Sequence, residues 1–245
     1  MLTEIVAHRG YPKKAPENTL ASFKKALAFS IDILEIDVHL TKDQQLVIIH
    51  DEAVDRTSNG HGFVKDKTLE ELLKLDFGSW FSPKYNDEKI MCLSELLVLL
   101  KKINFSKKLL IEVKTDHFAY PGIEALLVKT IAQFDTHKYQ IIYQSFNIAT
   151  LLKIAKLDKS ANLAALFFYP TWQILCLSKK HLITAIHPDN RWLINRIFWL
   201  KPSMIRPWKV NDPQKIRKIL KCQLAGVITD EIELALDLRK EIQGG

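Results

Sequence analysis

Cysteine is scarce in this chain of 245 residues. Cys92, Cys176 and Cys222 are odd in number and far apart, which argues against a disulfide framework or a thiolate metal site. No apolar run approaches the length of a membrane-spanning helix. No secretory leader is expected either, since Met1-Leu2-Thr3-Glu4 passes straight into a short apolar strand. These absences predict a cytoplasmic protein without stable membrane insertion. Long basic blocks are also lacking. The net charge is +7, yet the lysines come in scattered pairs such as Lys13-Lys14 and Lys107-Lys108, and no nucleic-acid module is visible. A diffuse positive field suits a small phosphate-bearing substrate better than nucleic acid.

What the chain does have is strand and helix alternation around one central stretch, Leu34 to Asp51. It reads as a buried strand, a polar turn at Thr41 to Gln45 and a return strand. Side chains on a strand alternate faces, so Glu35 and Asp37 point the same way. Folding back over the turn brings His50 level with them. Two unpaired carboxylates on an apolar strand are costly to bury, and a divalent cation between them resolves the cost. The alternative is a surface hairpin with solvated acids.

Before the hairpin, a strand ends at His8-Arg9-Gly10 and a loop runs from Pro12 to Pro16. Asn18 is expected to cap a helix with Leu20, Phe23, Leu27 and Ile31 on its apolar face. Residues 51–107 are too long for a plain connection and read as an inserted subdomain, with Thr68 opening a short helix. Further strands are expected at Leu109 to Lys114, Gln140 to Ser145, Leu163 to Phe168, Leu182 to His187, Met204 to Trp208 and Gly226 to Asp230. Helices between and after them are expected at Ile123 to Phe134, Ile148 to Leu157, Trp172 to Lys179, Trp192 to Leu200, Pro213 to Leu220 and Glu231 to Glu241. Counted with the two earlier strands, this alternation predicts an α/β protein, a (β/α)8 TIM barrel spanning residues 1–245 with the insertion after its second strand. An open doubly wound sheet is the rival, but no glycine-rich dinucleotide loop follows the first strand.

Barrel sites sit at the C-terminal strand ends. Those ends carry His8 and Arg9, Glu35 and Asp37, Glu112 and Lys114, Ser145, His187, Trp208 and Asp230, with His50 and Asp51 from the hairpin. Glu112 supplies a third carboxylate for a metal, although a plain buried ion pair with Lys114 would look similar. Arg9 and Lys114 offer a forked donor and a point charge for phosphate oxygens. His8 and His50 are the acid–base candidates, because imidazole titrates near neutral pH. His39, His61, His117, His137 and His181 are read as structural. His187 is a pocket-lining candidate, Asp51 an orienter of the hairpin loop, and Trp208 an apolar wall for substrate.

In this order His8-Arg9-Gly10, Pro16-Glu17-Asn18-Thr19, Glu35-Ile36-Asp37-Val38, His50-Asp51, Arg56-Thr57-Ser58-Asn59-Gly60, Glu112-Val113-Lys114, Gln144-Ser145-Phe146 and Val227-Ile228-Thr229-Asp230 resemble the glycerophosphodiester phosphodiesterase family. The resemblance implies hydrolysis of glycerophosphodiesters to sn-glycerol 3-phosphate and an alcohol. It implies His8 and His50 in acid–base roles, and one Mg²⁺ or Ca²⁺ held by Glu35, Asp37 and Glu112. Arg9 and Lys114 match phosphate-contacting positions. The free hydroxyl beside the phosphorylated carbon of such a substrate favours a cyclic phosphate intermediate, because tethering gives it a high effective molarity.

The chain departs from the family in three places. The aromatic segment from Tyr169 to Lys201 follows no family motif, Lys209 stands where threonine is common, and Glu231-Ile232 replaces an aromatic–proline pair. Two alternatives remain open at this point. One is a lysophospholipase D-like activity using the aromatic run Trp192 to Trp199, and the other is a catalytically silent phosphate-binding barrel.

Overall fold

The computed structural model describes residues 2–134, 136, 138–169, 171–191 and 201–244. Its strands, in chain order, are Glu4–Ala7 (β1), Ile33–Leu40 (β2), Leu46–Ile48 (β3), Met91–Cys92 (β4), Lys108–Val113 (β5), Gln140–Ser145 (β6), Asn162–Phe167 (β7), Ala185–Pro188 (β8) and Gly226–Thr229 (β9). Its helices are Leu20–Leu27 (α1), Leu69–Leu73 (α2), Leu93–Lys102 (α3), Ile123–Ala132 (α4), Ile148–Leu157 (α5), Trp172–Lys179 (α6), Pro213–Lys221 (α7) and Ile232–Gln243 (α8). The expected helix Trp192 to Leu200 and His137 lie outside the described residues.

The parallel strands run in the order β9–β1–β2–β5–β6–β7–β8. β1 stops at Ala7 and pairs with β2 only at Ile33 and Leu34. The upper part of that edge is therefore open, and β3 takes it antiparallel, with Val38 opposite Ile48. β4 then pairs antiparallel with β3. The regular ladder does not close between β8 and β9. An extended segment fills the gap: the Arg206 and Trp208 N–H groups donate to Ile186 and Pro188, and Ile228 N–H donates to the Pro207 carbonyl. The strand expected at Met204 to Trp208 is thus reduced to isolated bridges at Ile205 and Trp208. Pro207 has no N–H to give, and a 3₁₀ turn at Pro202–Met204 consumes the start of the segment. The fold is an α/β barrel whose seventh position is irregular.

Helix ends follow local chemistry. Thr19, not Asn18, caps α1 by accepting the Ser22 N–H. Asn18 adopts a left-handed backbone (φ 58) and sends its side chain elsewhere. Thr68 and Glu71 form a capping box on α2, and Asp212 with Pro213 starts α7. β8 begins later than expected because Leu182 belongs to the end of α6. There His181 turns left-handed (φ 56) and Leu182 N–H closes on the Leu177 carbonyl.

Strand alternation then places the site. Val6, Ile33, Leu110, Ile142, Ala164, Ala185 and Ile228 form one buried apolar cluster inside the barrel. Two residues further along their strands stand His8, Glu35, Glu112, Gln144, Leu166, His187 and Asp230. The next step reaches Asp37, Lys114, Phe146 and Phe168. A dry plug therefore lies beneath a polar layer, while the outward residues of the strands pack against the helices in the main core. A separate cluster joins Val47 and Ile49 of the hairpin to Val54, Val64, Leu72, Phe77, Ile90 and Cys92 of the insertion, whereas Leu93, Leu96, Leu97, Leu100 and Phe105 pack in the main core. Among the described residues no helix is long and apolar enough to cross a membrane.

Candidate active site

Three strands deliver three carboxylates. Glu35 and Asp37 are 1% exposed and Glu112 is 7% exposed, and one oxygen of each lies within 4.8 Å of the others. Glu35 accepts the Arg9 backbone N–H at 2.8 Å and the Gln144 side-chain amide at 3.0 Å. Asp37 accepts the Asn18 amide at 2.8 Å, and Arg9 Nε stands 3.2 Å from the same oxygen. Lys114 Nζ lies 3.2 Å from Asp37 Oδ1 and 2.5 Å from Glu112 Oε1. Even so, neither of these two buried oxygens receives a hydrogen bond of good geometry.

Burial, then repulsion from Asp37 and Glu112, pushes the Glu35 carboxyl well above its usual range. Burial raises Glu112 as well, against the opposing pull of Lys114. For Asp37 burial acts in the same direction, but the charges of Lys114 and Arg9 outweigh it and hold the carboxyl well below its usual range. Three acids face only two fixed cations here. The surplus negative charge and the all-oxygen donor set fit a hard divalent cation. These three residues could hold a metal.

Arg9 is bent into position by its backbone. It is left-handed (φ 55), and Gly10 follows at φ 82, where an added Cβ would collide with Ser22. This turn points the Arg9 N–H at Glu35 and its guanidinium toward Asp37 and Glu17.

Each acid–base candidate has a carboxylate on its Nδ1. His8 meets Asp230 at 2.7 Å, and Asp230 is held in turn by the Asn211 amide at 2.7 Å and Lys209 Nζ at 3.0 Å. Burial, reinforced by the Arg9 charge, brings His8 down to about 4, so the ring is neutral at pH 7. Its Nδ1–H then donates to Asp230, leaving Nε2 as a free base. His50 meets Asp51 at 2.6 Å, and Asp51 is gripped by Arg56. His8, His50, Arg9, Lys114 and the carboxylates Glu35 and Glu112 share one cavity with an apolar side made of Phe146, Leu166, Trp208 and Ile228. Trp208 is fixed by donating Nε1–H to the His187 carbonyl at 2.8 Å, and its ring makes T-shaped contacts with Phe146 and Phe168.

The sequence expectations fare differently residue by residue. The structure brings together His8, His50, Glu35, Asp37, Glu112, Arg9, Lys114 and Trp208. His187 is corrected: it is fully buried, does not line the cavity, and is bonded through Nδ1 to Gln144 at 2.7 Å. His39 shares the face of Glu35 and Asp37, yet it is structural, held between the Tyr120 hydroxyl (2.9 Å) and the His50 carbonyl (3.0 Å). His61 and His117 make hydrogen bonds in loops, with Asp55 and Glu52. Sequence reasoning missed Asn18, Gln144 and Asn211. Gln144 was within reach, because it lies two residues from Phe146 on a strand whose interior face ends polar. Asn18 and Asn211 act from loops, where no periodicity marks direction.

Known proteins match this architecture closely. The sequence model of the glycerophosphoryl diester phosphodiesterase family matches residues 8–234. A glycerophosphodiester phosphodiesterase of Caldanaerobacter subterraneus subsp. tengcongensis is 36% identical over 244 residues, covering 97% of this chain and 98% of that protein. One from Bacillus subtilis is 32% identical over 261 residues, covering 96% of this chain and 86% of that protein. Among solved structures, an Oleispira antarctica phosphodiesterase in complex with the product sn-glycerol-3-phosphate superposes with a TM-score of 0.81 at 27% identity, covering 96% of this chain and 97% of that one. The Thermotoga maritima glycerophosphodiester phosphodiesterase gives 0.76 at 25% identity, covering 97% and 99%. The chain belongs to the glycerophosphoryl diester phosphodiesterase family.

Proposed function

We propose that this protein hydrolyses glycerophosphodiesters to sn-glycerol 3-phosphate and an alcohol, with His8 and His50 as its acid–base pair. The observation that carries the reading is the pair of histidine–carboxylate dyads, His8–Asp230 and His50–Asp51, opening on one cavity with three clustered carboxylates. A divalent cation, Mg²⁺ or Ca²⁺, held by Glu35, Asp37 and Glu112 would supply Lewis-acid stabilisation of the phosphoryl oxygens. Arg9 and Lys114 add fixed positive charge against the same oxygens. The neighbouring hydroxyl of the glycerol moiety is the nucleophile: one histidine takes its proton while the other protonates the departing alcohol. A cyclic phosphate results, and water opens it with the histidine roles reversed. Trp208 and Phe146 form the wall against which the carbon part of the substrate lies. We assign residues 51–107 as an inserted subdomain of the single barrel domain; the separate apolar cluster supports this for its part up to Cys92, whereas Leu93, Leu96, Leu97 and Leu100 of α3 pack in the main core.

The partner is a water-soluble small molecule, and the proposed compartment is the cytoplasm. The test is a panel of glycerophosphocholine, glycerophosphoethanolamine and detergent-dispersed lysophospholipid at equal concentration. The reading expects release of sn-glycerol 3-phosphate from the soluble diesters. Cleavage of the lysolipid alone would make the protein a lysophospholipase D-like enzyme, and cleavage of none would leave a phosphate-binding barrel.

A further inference from the structure

His50 and Arg9 come from different loops, yet a continuous chain of charged groups joins them. His50 Nδ1 bonds to Asp51 Oδ1 at 2.6 Å. The Asp51 carboxylate is forked by Arg56, Nε at 2.6 Å and a terminal nitrogen at 3.1 Å. The same guanidinium forks Glu17 at 2.7 and 3.1 Å. Glu17 in turn accepts Arg9 at 2.8 Å. One arginine thus grips two carboxylates, each of which holds a residue lining the cavity.

We propose that Arg56 is a positioning residue that locks His50 and Arg9 into one unit. The inference rests on the roles given above to those two residues. Asp51 directly follows His50 in the chain, and its carboxylate must turn back to reach the imidazole of its neighbour. A carboxylate that is 28% exposed has a competing option in water, and the fork from Arg56 removes that option. Asp51 then fixes the His50 tautomer, with Nδ1 occupied and Nε2 left for proton transfer. At the other end Glu17 is shared between two guanidiniums. Burial works against its charge, but the bonds from Arg56 and the charges of Arg9 and Arg56 prevail and keep its carboxyl below the usual range. Arg9 is therefore held at both edges, by Glu17 and by Asp37. Lysine could not do this, because a point charge cannot fork two carboxylates at once.

The Arg56 side chain is 44% exposed, so a small cation can enter its place from solvent. This permits a direct experiment on the intact protein, with glycerophosphocholine or glycerophosphoethanolamine, whichever the panel shows cleaved, as substrate. Asp51→Asn should lower kcat, and Glu17→Gln should chiefly raise KM. Arg56→Ala should do both, with kcat/KM falling by about 10- to 10²-fold at an unchanged melting temperature, the scale expected for displaced catalytic groups. Arg56→Lys should recover only part of the loss, and millimolar guanidinium should restore activity to Arg56→Ala. Wild-type kcat and KM in Arg56→Ala would overturn the proposal. So would a loss that tracks a lowered melting temperature and ignores guanidinium. His50→Ala and Arg9→Ala serve as controls. If they retain full activity, the underlying site reading has failed instead.

Discussion

His8 Nδ1 and Asp230 Oδ1 lie 2.7 Å apart although 222 residues separate them. They meet because β1 and β9, the first and last strands, are parallel neighbours. Asp230 leaves the His8 Nε2 as the free base, so its own substitution should mimic the loss of the histidine.

His8→Ala and His50→Ala should each lose about 10²- to 10⁴-fold in kcat, the usual worth of acid–base assistance. Asp230→Asn should lose activity in the same direction, because an amide can present either end to the ring. Steady-state kinetics beside thermal melts check this, with melting temperatures expected near the parent value. A fully active Asp230→Asn would remove the dyad from the mechanism.

Acid should weaken the fold in a defined window. Burial brings both His8 and His39 down from 6.5 to about 4. Between those values the unfolded chain binds protons that the folded one refuses, so stability falls as pH drops through the window. Each histidine accounts for up to about 3 kcal/mol of that fall. Chemical denaturation between pH 7 and pH 4.5 should show the decline, and His39→Gln should flatten part of it. A stability independent of pH over this range would contradict the neutral, buried assignment.

Most of the candidate site was legible in the sequence because strands write direction into spacing. Glu35 and Asp37, and Glu112 and Lys114, are two apart, and that alone puts each pair on one face. What stayed hidden came from irregular backbone. Asparagine favours caps, but the left-handed conformation of Asn18 frees its side chain for Asp37 and leaves capping to Thr19. The strand-end position of His187 suggests a cavity-lining residue, whereas the side chain is fully buried, tied to Gln144 and absent from the cavity wall. The irregular seventh barrel position was likewise concealed, since Pro207 interrupts an otherwise strand-like run.

Glu112→Gln removes one anionic ligand at nearly constant volume. It also relieves a buried charge that burial already disfavours. Calorimetric titration with Mg²⁺ or Ca²⁺ should therefore show weaker binding, while the melting temperature of the metal-free protein holds or rises. Unchanged affinity would take Glu112 out of the metal site.

A substrate analogue with hydrogen in place of the hydroxyl beside the phosphorylated carbon should bind and not turn over. The tethered nucleophile would then be missing, and with it an effective molarity on the order of 10⁵ M or more. Cleavage of the analogue at a rate near that of the natural diester would mean that water attacks phosphorus directly.

The most direct measurement is release of sn-glycerol 3-phosphate from glycerophosphoethanolamine and glycerophosphocholine by metal-stripped protein, before and after adding back a divalent ion. The account predicts no turnover in chelator and full recovery with Mg²⁺ or Ca²⁺, since three buried carboxylates converge within 4.8 Å of one another. Full activity in excess chelator would contradict it.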